Sequence, residues 1–162
     1  MEPWGHFYNF FKYVILSNSN VMALGDLFYE ATGKITGQRV LDIEGPKIET
    51  TVSYDGTMKN GGSPVEVRHI ATFTSSMRDG AFYSEGTGVI TAKDGSGEMA
   101  TELGRGIIRF VEGGKKVVGR GLFIFNTSSK TGNLSFLNNL TGVLEYGADE
   151  AGNSTLKVWE WK

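Results

Sequence analysis

The chain has 162 residues, a size that favours one domain, and its 16 basic and 18 acidic side chains leave a formal net charge of −2. That balance argues against nucleic-acid binding through bulk charge, and with no cysteine there can be no disulfide, thiolate metal site or cysteine nucleophile. Hydrophobic residues at 40% exclude a disordered chain, two histidines exclude a His-rich metal site, and 23 glycines against about 11 expected at ~7% usage point to an all-β domain of many turns and bent strands.

Residues 7–16 (FYNFFKYVIL) are apolar and aromatic but interrupted by Asn9 and Lys12. They fall short of the ~18 apolar residues of a membrane span, so no membrane insertion is expected. They also lack the basic region and cleavage site of a signal peptide, and a cytoplasmic protein is expected. Residues 1–21 are read as an extension, either a short helix packing on the domain or a partner chain, or an upstream stretch preceding a start at Met22. The run Ser17-Asn18-Ser19-Asn20 links this extension to a domain over 22–162.

From Leu27 onward the apolar pattern has period two, with turn signals every 10 to 18 residues. A long first strand is expected over 27–43, with Gly33 and Gly37 marking bends or bulges. Ile48, Thr50, Val52 and Tyr54 alternate with polar residues and read as a half-buried strand. Further strands are expected over 65–75, 81–92, 98–111, 115–126, 141–147 and 155–161. The segment 133–139 reads as one helical turn or a loop, and 126–141 as a cover for one end. Eight sequential hairpin strands favour a closed eight-stranded antiparallel up-and-down barrel, with room inside for side chains or one small ligand. A β-sandwich is the competing fold.

Placing the turns sets the register. Gly86 then opposes Gly104, Glu85 opposes Arg105, Gly106 opposes Gly121 and Ile108 opposes Gly119. A turn centred on Arg78-Asp79 puts Ala71 opposite Gly86 and His69 opposite Gly88. Three neighbouring strands thus carry Gly-x-Gly pairs (86/88, 104/106, 119/121) on one face, as a bent corner or a cleared floor. His69 and Glu102 share that face across Gly88, about 10 Å apart at ~4.8 Å per strand, and suit an acid and a base acting on a small ligand. The bland alternative is a locally bonded buried histidine and a carboxylate near the rim.

On the opposite face Glu85, Arg105 and Arg120 read either as a polar cluster inside the barrel, with Glu85 a base and the arginines anion binders, or as an outer ladder. Tyr83 adds a polar contact beside them. Phe73, Phe123, Phe125 and Trp159 are candidate ligand-lining aromatics, with core packing the alternative. No carboxylate cluster has metal spacing, and no cofactor motif is present: the glycine pairs lie inside strands with no strand–helix transition following.

The stretches Phe82-Tyr83-Ser84-Glu85-Gly86-Thr87-Gly88-Val89, Gly97-Glu98-Met99-Ala100-Thr101, Gly104-Arg105-Gly106, and the ending Gly142-Val143-Leu144-Glu145-Tyr146 … Lys157-Val158-Trp159-Glu160-Trp161-Lys162 resemble uncharacterised microbial members of the allene oxide cyclase barrel-like group. The resemblance covers about residues 25–162. It implies an eight-stranded barrel, relatives that are often oligomeric, which makes a homo-oligomer an expectation here, and a lumen that in some members holds an apolar substrate. Plant members cyclise an unstable fatty-acid epoxide, and their catalytic residues have no matching positions here. Three functions are therefore expected to compete: a cofactor-free cyclase or isomerase acting on a small, mostly apolar molecule, a lipocalin-like carrier, and a filled barrel that serves assembly.

Overall fold

The computed structural model describes residues 24–162. The extension expected over 1–21, and its boundary at 22, lie outside the described residues. Eight strands close into one antiparallel barrel in chain order: β1 (Leu24–Asp42), β2 (Lys47–Met58), β3 (Val65–Arg78), β4 (Ala81–Ala92), β5 (Met99–Val111), β6 (Lys116–Asn126), β7 (Thr141–Asp149) and β8 (Asn153–Trp161). β1 pairs with β8, so the ring has no free edge. The sandwich alternative is thereby removed. No helix among the described residues is long and apolar enough to cross a membrane.

The alternation of the strands decides what is inside. Val65, Val67, His69 and Ala71 of β3 are buried, while Glu66, Arg68 and Ile70 between them are exposed. The same rule turns Gly88 and Ile90, Glu102 and Gly104, Phe123 and Phe125, and Leu156 and Val158 inward. The glycine face is therefore the lumen, and the face carrying Glu85, Arg105 and Arg120 is the outside.

The register expected for β4–β5 and β5–β6 holds: Gly86 faces Gly104, Gly106 faces Gly121 and Ile108 faces Gly119. At β3–β4 it is two residues off. Ala71 faces Gly88, and His69 faces Ile90. The tight turn is Asp79-Gly80 rather than Arg78-Asp79, and both turn residues have positive φ (48° and 78°). A two-residue hairpin of this hand needs positive φ at both positions, which Asp-Gly supplies and Arg78 does not. In β1 the register shifts between Ile35 and Gly37, as expected for a bulge there, whereas Gly33 stays in regular register.

One end of the barrel is plugged. The β6–β7 connection contains a single short helical turn, Ser135–Leu137, and buries Leu134 and Leu137 completely. Phe28 packs edge-on against both Phe125 and Phe136, with ring centroids 5.6 and 6.0 Å apart. The plug is tied down from outside: the Glu98 carboxylate accepts the Asn133 backbone N–H at 2.7 Å and the Ser129 hydroxyl, and Asp94 accepts the Asn133 side-chain amide at 3.0 Å.

Candidate functional site

In the other half the lumen is open. A cavity of about 490 Å³ reaches from the β5–β6 and β7–β8 turns down to a floor of Tyr54, Phe73 and Phe123. Ile35, Val52, Ile108, Val117 and Leu144 make its walls apolar, and Thr50, Ser75, Ser84 and Tyr146 supply neutral polar groups. Gly106 and Gly119 are part of its wall, and Gly106 faces Gly121 across β5 and β6 with the two backbones so close that a Cβ at either would meet the opposite strand's carbonyl.

Directly beneath the floor lies a buried polar chain, made by side chains that lean across strands. The Tyr29 ring crosses β2 over Gly56, and its hydroxyl hydrogen-bonds His69 Nδ1 at 3.2 Å. The His69 ring then crosses β4 at Gly88, and Nε2 lies 3.4 Å from Glu102 Oε1. A Cβ at Gly88 would sit 2.5 Å from Nε2 and 2.6 Å from that oxygen, so only glycine leaves the crossing open. Tyr54 stacks on the imidazole at 5.3 Å and Phe123 meets it edge-on at 6.2 Å.

Both members of the pair are fully buried. Their 3.4 Å approach lacks the alignment of a hydrogen bond, so Nε2 and both Glu102 oxygens are left without a hydrogen-bond partner. Burial raises the Glu102 carboxyl above its ordinary value, and His69 partly offsets the rise. Burial also raises the phenols of Tyr29, Tyr54 and Tyr146, which keeps them protonated. When the Tyr29 hydroxyl donates to Nδ1, the ring proton belongs on Nε2, facing the carboxylate.

The structure brings together His69 and Glu102 far more closely than the ~10 Å expected from two strand spacings. That figure counted backbone separation, and two side chains converging over a glycine shorten it. Phe73 and Phe123 line the cavity floor, stacked 6.3 Å apart. Phe125 is buried on the plug side instead, against Phe28. Trp159 alternates with the inward Val158 and so lies half-buried on the outer face.

Glu85 and Arg105 face each other as expected, but outside. Their side chains are 66% and 72% exposed and 3.4 Å apart. Arg120 pairs outside with Glu145 at 3.7 Å, and Tyr83 is exposed beneath the Arg78 guanidinium. Arg105 and Arg120 also border the cavity, beside Gly106 and Gly119. The reading of Glu85, Arg105 and Arg120 as a cluster inside the barrel is corrected to an outer ladder. It failed because both faces of these strands carry many apolar residues. Tyr29, Tyr54 and Tyr146 were not singled out in the sequence. The available signal was their inward parity beside a glycine on the neighbouring strand: Gly33 opposite Tyr54, and Gly119 opposite Tyr146.

No family model matches the chain, and no curated protein matches it. Solved structures do share its fold. A protein of unknown function from Clostridium acetobutylicum ATCC 824 superposes with a TM-score of 0.64 at 15% identity, over 85% of this chain and 98% of that one. A conserved protein of unknown function from Rhodopseudomonas palustris gives the same TM-score and identity, over 88% and 99%. At that identity the likeness establishes the closed barrel alone.

Proposed function

We propose that the open half of the lumen takes up a small, mostly apolar, uncharged molecule, and that His69 and Glu102 serve it as an acid–base pair in a cofactor-free isomerisation or cyclisation. The observation that carries this reading is the placement of a cavity of about 490 Å³ directly above a buried imidazole–carboxylate pair with unused hydrogen-bonding capacity. The volume lies in the range of small-molecule sites, and the apolar walls suit a molecule with few polar groups. Tyr54 and Tyr146, held protonated, offer donors to one acceptor oxygen. The walls would select one folded conformer. Once Phe123 turns aside, one member of the pair takes a proton and the other returns one. The resemblance to the allene oxide cyclase barrel-like group points the same way.

Mass spectrometry of the purified protein under native conditions tests occupancy, with a bound metabolite displaced in Val52→Trp as the expected result. Turnover of that metabolite should fall at least a hundredfold in His69→Gln and Glu102→Gln. A carrier is the second reading, favoured by the fact that the floor seals the pair completely. Under it the same variants retain the ligand and no wild-type conversion is seen.

A further inference from the structure

Given uptake of a small, mostly apolar molecule by the open half of the lumen, as read above, we propose that Ser84 anchors that molecule by donating a hydrogen bond to a carbonyl oxygen. The occupant is then a neutral ketone, ester or lactone. Ser75 and Ser84 face each other across β3 and β4, and both line the cavity. The Ser75 hydroxyl donates to Ser84 Oγ at 3.0 Å. Ser84 is the acceptor in that bond, and its own proton has no acceptor among the described residues.

A hydroxyl in a largely apolar wall needs a partner for its proton, because a hydrogen bond left unmade there costs free energy. The residue opposite Ser84 on β5 is Gly106, which has no side chain to lie over the hydroxyl or to accept from it. The donor is therefore left to whatever enters the cavity. The bond from Ser75 also strengthens it, since a hydroxyl that accepts one hydrogen bond donates the next more strongly. A carbonyl oxygen suits such a donor. It is a neutral acceptor with two lone pairs and no proton of its own to place among apolar walls.

Thr50 on β2 repeats the arrangement. The Gln38 side-chain amide donates to Thr50 Oγ1 at 3.3 Å, and the Thr50 proton likewise has no acceptor among the described residues. Both relays border the cavity from the β1–β4 side. Across the ring, on β6 and β7, the wall is made by Val117 and Leu144. One side of the chamber thus offers donors and the other offers hydrocarbon. The occupant turns its carbonyl toward β2–β4 and its apolar body toward β6 and β7. A molecule with a second acceptor oxygen on the same edge meets Thr50.

The probe is prodan, a neutral naphthylamine dye that carries a propionyl ketone, used beside the same naphthylamine without the propionyl group. Each dye is titrated by fluorescence into the full chain, into Ser84→Ala and into Ser84→Cys, whose thiol is a weak donor of similar shape. Circular dichroism shows which variant keeps the barrel, and either one suffices. Affinity for prodan should fall about three- to tenfold, the loss of one neutral hydrogen bond, while affinity for the ketone-free dye is unchanged. Emission of the bound prodan should also move to the blue as its carbonyl loses a donor. Unchanged prodan affinity, or an equal loss for the two dyes, overturns the role of Ser84 and leaves uptake by the lumen standing. Binding of neither dye, or binding that survives Val52→Trp, overturns uptake itself and the role of Ser84 with it.

Discussion

Gly88 stands between His69 and Glu102, and the space its missing side chain leaves is where the imidazole and the carboxylate meet, 3.4 Å apart. Gly88→Ala should therefore push the two groups apart or bend β4. A loss of about 1–3 kcal/mol is expected in urea unfolding. Gly37→Ala, where an added Cβ meets nothing within 4 Å, should cost no more than about 0.5 kcal/mol. Equal losses at the two positions would show that the crossing at Gly88 is not tight.

The Glu102 carboxyl binds its proton more tightly in the folded barrel than in the unfolded chain, because burial raises it. The sign follows from linkage: stability from this group is complete below the ordinary glutamate value and declines as pH rises toward the raised folded value. Glu102→Gln escapes that decline. The Tm of the variant relative to wild type should rise between pH 4 and pH 7. A constant difference across that window would contradict a raised carboxyl.

Glu85 and Arg105 lie in solvent, where an ion pair contributes less than about 1 kcal/mol. Glu85→Ala and Arg105→Ala, measured singly and together, should give a coupling energy below that bound and leave ligand occupancy of the cavity unchanged. Loss of a lumen ligand in either variant would return these residues to the site.

Leu137 is fully buried in the plug. Leu137→Ala should cost about 2–5 kcal/mol, as for other large-to-small changes in packed cores. The open half has less to lose: Ser84→Ala, on the cavity wall, should change stability by under about 1.5 kcal/mol. Thermal denaturation of the two variants separates a structural half of the lumen from a vacant one.

Most of the barrel could be read from residue alternation and turn residues, because a closed meander uses only local hairpins. The Asp94–Gly97 turn and the Gly113-Gly114 turn placed β4, β5 and β6 in correct register. The Asp79-Gly80 turn misled by one position, since a hairpin can be centred on either dipeptide until the φ requirement is applied. His69 and Glu102 were recognisable as the ionisable pair on the glycine face. Their contact was not, because register gives backbone neighbours while the contact depends on side chains leaning across a third strand. Which face was the lumen could not be read either. Ile70, Val89, Leu103 and Ile124 make the outside of β3–β6 nearly as apolar as the inside.

Among the described residues, the plug built from Leu134, Phe136 and Leu137 closes one end of the lumen, and the cavity lies toward the other, beside the turns at 112–115 and 150–152. A molecule that enters by that end and is stopped at the floor leaves by it too. A new guest must then wait for the last to depart, so release, rather than arrival, would set the tempo of any cycle run inside.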